Sequence, residues 1–558
     1  MMLKYKALLK ALILIGCIAC LKLLLLDSLQ PSMPSAEYQQ SDSKHSLDYK
    51  VFGSSDKTVI HIHHKTVKSP LVYEYVANMS RTKEATEQMM AVGENECGHW
   101  LGLDLLDRWR SSKKPYCSST KTGTKEQPRV GEALPQSQMS CHLIKEHHSE
   151  NICDVYNVAF DVDILANQQI EANWNGAEPP AGAIKLSDCQ LDEDLFRQDN
   201  FGNAAQKFLF QGLQKQVTNE PVVCDAIVDH DLLMLSRWDP TNLFHFHEDV
   251  IHTFSAFGVT DLDVENTEVM LLDSRMPLDG PFHLFWERVF TGKRHRSNKL
   301  AETADKDDYK QPLTRDIHSL AKELQQSGKK TLCVARAVFG VHGGISPFSR
   351  GIGESLHSCK QGTTALIHGY RDFIWARLGF NDDKAMVPSV FDEDLLRVVV
   401  VSRRGVRREL RTETDLVRKL IAARCEAWSN TKLADGFSPT GTGCKVTVKL
   451  IDLKDMSLFS QMQMIRETDL LIGAHGCGLT HALYMPKWGA VIELQHPSRM
   501  GNYHFQRIST MVGLEWTSFS LPGETGDEES AVSQAASAAN AMADRIISRR
   551  REFSKLVR

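Results

Sequence analysis

The chain reads as an α/β protein whose C-terminal part holds a parallel sheet flanked by helices. Two observations carry that prediction. From Arg397 onward, apolar β-branched runs alternate with helix-like runs, and repeated β-α-β units of this kind imply a parallel sheet covered on both faces. Within that region, DLLIGAHGCGLTHALYMPKWGAVIEL (469–494) carries an apolar strand over 470–474 that turns abruptly through His475-Gly476-Cys477-Gly478. A short helix-like stretch follows, then Pro486, then a second apolar strand ending at Glu493. A strand that passes through glycines into a helix gathers bare N–H groups and a positive helix end at one spot, which suits an anion. The bland alternative is a tight turn such as any α/β domain contains.

The other elements follow in order. Residues 398–401 are an apolar strand ending at Ser402-Arg403-Arg404. Thr412 and Asp415 form a capping-box pattern that opens a helix through about residue 423. Residues 445–451 alternate as a strand, and 456–467 read as a helix. Ligands in such sheets bind beyond the carboxyl ends of the strands. Ser402 to Arg404, His475 to Gly478 and Glu493 all fall at such ends. Residues 220–390 are also α/β-like: 222–228, 269–273 and 331–339 as strands, 245–257 and 282–290 as helices, and 297–330 as a polar insertion or a long helix with loops. Residues 96–220 show no clear period. Residues 530–551 are Ala-rich and helical. No internal repeat is evident.

The N-terminus supplies Lys4, Lys6 and Lys10 before an apolar run over 11–26. As a helix that run is roughly 24 Å long, at 1.5 Å per residue. Basic residues ahead of it predict a cytosolic tail (1–10), an uncleaved signal anchor (11–26) and a luminal remainder; a cleaved signal peptide is the rival. Residues 27–95 read as a solvated luminal stem, and Asn78-Met79-Ser80 is a glycosylation sequon within it. The rest divides into an N-terminal α/β domain (96–390) and a Rossmann-like C-terminal domain (391–558). Lys+Arg 65 against Asp+Glu 70 leaves a net charge of −5 with no long basic run, which argues against a nucleic-acid partner. Of 13 cysteines, Cys17 and Cys20 lie in the anchor and Cys477 in the glycine turn. The remaining ten suit disulfides in a luminal chain, with pairing unreadable.

Candidate chemistry gathers at two places. At the first, turn N–H groups around Gly473, Gly476 and Gly478, with Arg403 or Arg404, would hold phosphate, because guanidinium matches phosphate oxygens in a bidentate way. Glu493 could accept ribose hydroxyls or be a salt-bridged carboxylate. His475 could donate to a phosphate, act as a base, or merely order its loop. The second is His245-Phe246-His247-Glu248-Asp249, with His252. His247 and His252 are five apart, about 140° around a helix, so a metalloprotease pair fails. His247, Glu248 and Asp249 are the candidate bases; a polar helix start is the alternative. Asp161-Val162-Asp163 and Asp261-Leu262-Asp263 are D-x-D strings, whose paired carboxylates would bind Mn²⁺ and through it a diphosphate. With a glycine turn and arginines present, no metal is required.

The pattern G-A-H-G-x-G-L-T-H-x-L-x-x-P-x-W-x-A-V-x-E-L resembles the C-terminal signature of glycosyltransferase family 61. The resemblance is strongest over about 397–519 and weaker over about 242–344. It implies a GT-B-like architecture, two Rossmann-like domains facing a cleft, and inverting transfer from a UDP-sugar. In its S-R-x-x-x-R-R stretch Arg403 aligns best, with Arg407 and Arg408 downstream; the 245–249 cluster resembles its H-x-x-x-D helix. Cys477 stands where the family usually has alanine, a packing variant. The family includes β-1,2-xylosyltransferases and a luminal O-GlcNAc transferase with a retrieval signal. This chain ends Lys555-Leu-Val-Arg558 and begins with an anchor, which favours a Golgi type II pentosyltransferase acting on the core mannose of N-glycans. The alternatives are a GlcNAc or arabinosyl transferase acting on protein or polysaccharide, and an inactive carbohydrate-binding membrane protein.

Overall fold

The computed structural model describes residues 72–80, 99, 101–118, 127–144, 150–167, 181–191, 204–213, 221–273, 282–290, 315–340, 346–349, 364–380, 394–405, 408–425, 444–523 and 527–557. All belong to one compact unit, Lys68–Arg558. The tail and anchor expected over 1–26 lie outside the described residues, as do Cys97 and Cys359. Among the described residues no helix is long and apolar enough to cross a membrane.

The C-terminal region folds as read. Its strands are β11 (Leu396–Val401), β12 (Val446–Ile451), β13 (Leu470–Ala474), β14 (Ala490–Gln495) and β15 (Glu515–Ser520). They form one five-stranded sheet in the order β12-β11-β13-β14-β15, every pair parallel. Val401, Gly473 and Glu493 share one row across it. β13 and β14 are buried throughout, which is why they appear as continuous apolar runs instead of alternating ones. β15 escaped sequence reading because it is an edge strand, partly exposed and without an apolar run. Helices α9 (Glu413–Ala422) and α12 (Glu529–Val557) pack on each other. Helices α10 (Leu458–Arg466) and α11 (His504–Met511) both pack on a 3-10 stretch, Cys477–Tyr484.

The α9 start is where expected, but its cap differs. The Thr412 side chain makes no cap bond; its hydroxyl and its N–H both donate to Glu528. A carboxylate 116 residues away therefore takes the place of the capping box.

The N-terminal sheet departs from the Rossmann-like expectation. It is mixed: β1 (Lys113–Pro115), β3 (Gln138–Ile144), β4 (Glu150–Asp161), β7 (Ala226–Leu235), β8 (Thr267–Leu271), β9 (Arg315–Asp316) and β10 (Thr331–Phe339) run in the order β1-β3-β4-β10-β7-β8-β9, with β5 (Ile184–Leu186) beside β4. Only the β10-β7-β8-β9 half is parallel; β1, β3, β4 and β5 are antiparallel. Disulfides pin the antiparallel half: Cys141–Cys153 crosses β3 and β4, and Cys117–Cys189 ties down a small two-stranded sheet, β2 (Cys117–Ser118) with β6 (Gln190–Leu191). Cys224–Cys333 joins the approach to β7 to β10 itself, and Cys425–Cys444 links the end of α9 to β12. Covalent cross-links explain why segments with no strong period still fold there.

Helix α1 (Val72–Ser80) lies within the stretch expected as stem, yet Val72, Val76 and Ala77 are buried. It crosses α8 (Ala365–Leu378) at Gly369, where an added Cβ would meet the Val76 backbone N at 2.9 Å. Asn78 is exposed on that helix. One hydrophobic core runs from α5 (Leu243–Thr260) and α8 into the C-terminal sheet, so the two sheets are joined through packed helices.

Candidate functional site

The site forms where the N-terminus of α5 meets the carboxyl edge of the C-terminal sheet. Asn242 caps α5 by accepting from the Phe244 N–H, which places residues 243–249 in its first two turns. Phe244 stacks on His504 at the start of α11, ring centroids 4.6 Å apart and 3° from parallel. Phe505 in turn meets Phe244 at 6.0 Å and His475 at 4.9 Å. These rings fix three elements against each other, and the titratable groups around them form one electrostatic neighbourhood. Burial pushes His504 down to about 4; Glu248 opposes that, and Arg507, His475 and His245 add to it.

At the glycine turn, Gly476 has an extended backbone with φ 170°, so glycine is not needed there for a left-handed conformation. What requires it is space: a Cβ at Gly476 would fall on the Arg403 guanidinium. Gly473 and Gly478 serve packing, since their Cβ atoms would press on Leu479 and Val401, and on Leu453 and Val401. Arg403 thus lies across the mouth of the turn, beside the first N–H groups of the 3-10 stretch, where no side chain caps. A guanidinium beside bare N–H groups is anion-binding geometry. Arg404 is committed elsewhere: it pairs with Glu413, which also accepts from the Ser402 hydroxyl at 3.1 Å. Arg408 is half-buried and sits at φ 65°, in the left-handed region. Cys477 is a free, half-buried thiol.

Glu493 spends both oxygens inside the protein. Oε1 lies 2.5 Å from His475 Nδ1, and Oε2 accepts from Trp516 Nε1 at 3.1 Å; the residue is fully buried. It therefore orients His475, and both oxygens expected for ribose hydroxyls are already engaged. With Nδ1 bound to a carboxylate, His475 carries its proton there and leaves Nε2 as its other nitrogen.

The structure separates the members of the 245–249 cluster. His247 is fully buried, 2.7 Å from the Tyr370 hydroxyl and 3.3 Å from that of Tyr484. Burial, with His481 close by, holds it well below its ordinary value, so it is a neutral core histidine. Asp249 is buried and accepts from the Trp238 N–H at 3.1 Å, fastening the loop after β7 to α5. Glu248 is buried too. Its Oε2 lies 2.6 Å from His245 Nδ1 and its Oε1 accepts from Ser346 at 2.8 Å. Burial alone would raise its carboxyl; the bonds from His245, Ser349 and Ser346 outweigh that and hold it below its ordinary range. His245 keeps 30% of its side chain exposed. Sequence reasoning did not single out His245, His504, Arg507, Ser346 or Trp516; the readable signal was the i,i+3 spacing of His245 and Glu248.

The D-x-D carboxylates have structural partners. Asp161 accepts from the Ile164 N–H and pairs with Lys185, and Asp163 accepts from Gln325. Asp261 pairs with Arg110, and Asp263 accepts from the Glu265 N–H.

In Gly476→Ala the new methyl displaces the end of a flexible arginine and no backbone, so the melting temperature should hold while affinity for a diphosphate anion, read with pyrophosphate, falls. Calorimetry with pyrophosphate beside a thermal melt checks both; unchanged affinity would mean that Arg403 does not hold the anion.

Residues 243–492 match the glycosyltransferase 61 model. That span opens on the first residue of α5 and covers Arg403 and the glycine turn. An EGF domain-specific O-linked N-acetylglucosamine transferase from Drosophila melanogaster is 21% identical over 365 residues, 62% of this chain and 58% of that protein. One of the same name from Canis lupus familiaris is 29% identical over 391 residues, 65% and 61%. A β-1,2-xylosyltransferase from Arabidopsis thaliana is 22% identical over 384 residues, 66% of each. The chain thus spans 58–66% of the length of these relatives. The family model thus spans the start of α5, Arg403 and the glycine turn, and the chain is similar across that span to glycosyltransferase 61 relatives of both kinds.

Proposed function

We propose that this protein is an inverting glycosyltransferase of GT-B type that moves a sugar from a UDP-sugar to a glycan. The observation that carries the reading is the Arg403 guanidinium lying over Gly476 at the carboxyl edge of a parallel sheet. A nucleotide-sugar transferase must hold a diphosphate and deprotonate an acceptor hydroxyl. The glycine turn with Arg403 suits the first task, and the polar start of α5 faces it across the Phe244–His504 stack. Within this reading the donor is UDP-xylose, the acceptor the core mannose of N-glycans, and the setting a Golgi membrane with the catalytic domain luminal. GlcNAc transfer to protein is the second reading; the 29% identity to the dog enzyme favours it.

The test is a donor screen on the full-length chain with UDP-xylose, UDP-GlcNAc and UDP-arabinose, following UDP release. Turnover of UDP-xylose alone supports the first reading and UDP-GlcNAc alone the second. Tight UDP binding without turnover of any donor would leave a carbohydrate-binding protein. Because arginine and N–H groups can hold the phosphates, excess EDTA is expected to leave most of the activity. Complete loss, restored by Mn²⁺, would move the phosphate site to the D-x-D carboxylates.

A further inference from the structure

We infer that His245 is the general base of this site and that Glu248 is its positioning residue. The inference rests on the transferase reading and deepens it. An inverting transfer needs one group that can take the acceptor proton and still reach the acceptor. Of the cluster at the start of α5, only His245 meets both conditions. His247 is sealed between Tyr370 and Tyr484, and Asp249 is spent on the Trp238 N–H. Glu248 is fully buried with one oxygen on His245 and the other on Ser346. His475 belongs to the phosphate side, beside Gly476 and fastened by Glu493. His504 is stacked flat on Phe244, and burial leaves it a poor proton acceptor.

His245 has the geometry of an oriented base. Its Nδ1 is 2.6 Å from a carboxylate that is ionised at neutral pH, so Nδ1 carries the proton and donates it. That fixes the tautomer and leaves the Nε2 lone pair as the accepting site; among the described residues no side chain or carbonyl takes it. The side chain is 30% exposed against none for Glu248. A carboxylate behind an imidazole in this way stabilises the imidazolium that forms on proton transfer. Glu248 on the same helix faces His245 directly, and both act on His504 of α11 together with Arg507 and with His475 at the turn.

In the step itself, the acceptor O–H proton passes to His245 Nε2 as the acceptor oxygen bonds to the anomeric carbon. The bond from that carbon to the diphosphate oxygen breaks, and UDP leaves with the electron pair. The imidazolium later returns its proton to water.

The test uses the full-length chain with whichever donor the wild type turns over, measuring kcat, KM and UDP affinity from about pH 5 to 9. In the wild type kcat/KM should rise with pH through a single ionisation and then level. His245→Gln and His245→Asn should lower kcat by roughly 10²–10⁴ and abolish that limb, with UDP affinity near normal as the check that the site is folded. Glu248→Gln should lower kcat less and shift the limb to lower pH, because the imidazole loses the carboxylate that favours its charged form. That shift is what a merely structural Glu248 would not produce. Full turnover in both His245 variants, or an inactive Glu248→Gln beside an active His245→Gln, overturns the assignment while leaving the transferase reading intact. A wild type that turns over no donor removes both.

Discussion

Arg403→Ala should weaken UDP binding by about ten- to a hundredfold. On the proposed reading the variant removes a charge-assisted contact with phosphate, worth roughly 1.5–3 kcal/mol, and about 1.4 kcal/mol is tenfold in affinity. The effect should appear in calorimetry with UDP alone, without acceptor. Arg404→Ala is the internal control. It is adjacent in sequence, but its guanidinium is paired with Glu413 at the start of α9, so its loss should alter affinity far less. Equal loss in both variants would mean that the two arginines act only through general charge near the edge of the sheet. Arg403→Lys should recover part of the affinity, since an ammonium keeps the charge without the bidentate fork.

The largest expected effect on stability lies at the opposite edge of the same sheet. Asp469 precedes β13 and is fully buried. It accepts from the Arg397 side chain and N–H, from Trp488 Nε1 at 2.8 Å and from Arg550 Nη1 at 2.6 Å. Arg550, on the final helix α12, is 1% exposed. One carboxylate thus ties β11, β13, the loop before β14 and the C-terminal helix together. Removing one partner of a buried pair leaves the other charge uncompensated, at a cost of about 3–5 kcal/mol. Asp469→Asn and Arg550→Met should each show a loss of this size in denaturant titration. The pH dependence follows. Burial would raise the Asp469 carboxyl, but Arg397, Arg550 and Trp488 together hold it below its ordinary value. A depressed folded-state value means that the stability is present above the unfolded carboxyl range, near pH 4. It is lost as pH falls through the folded value. Asp469→Asn should flatten that acid limb. An unchanged limb would mean that other carboxylates carry the acid sensitivity.

The parts of the fold legible in sequence were those fixed by local pattern. β11, β13 and β10 are runs of buried apolar residues bounded by polar ends, and the structure keeps them nearly as read. α5 and α12 also appear, each a few residues longer. What escaped was set by distant partners. Glu528 replaces the expected cap of α9, and no local window shows that. The antiparallel half of the N-terminal sheet depends on cysteines paired 12 and 72 residues apart. At the site, residue types at strand ends located the glycine turn and Arg403. They did not say which oxygens were free. Glu493 looks available for a ligand until His475 and Trp516, 18 and 23 residues away, are seen to occupy it. The 245–249 cluster is similar: helical spacing pairs His245 with Glu248, but only packing shows that His247 turns to Tyr370 and away from solvent.

The central claim is that sugar transfer with inversion occurs at this site. The most direct measurement is the anomeric configuration of the product, followed by proton NMR as the full-length chain acts on an α-linked UDP-sugar and an N-glycan or peptide acceptor. Inverting displacement predicts a β-linked product from the first turnover, formed together with UDP and lost in Arg403→Ala at low donor concentration. An α-linked product, or no glycosidic product while UDP still binds tightly, would contradict the account.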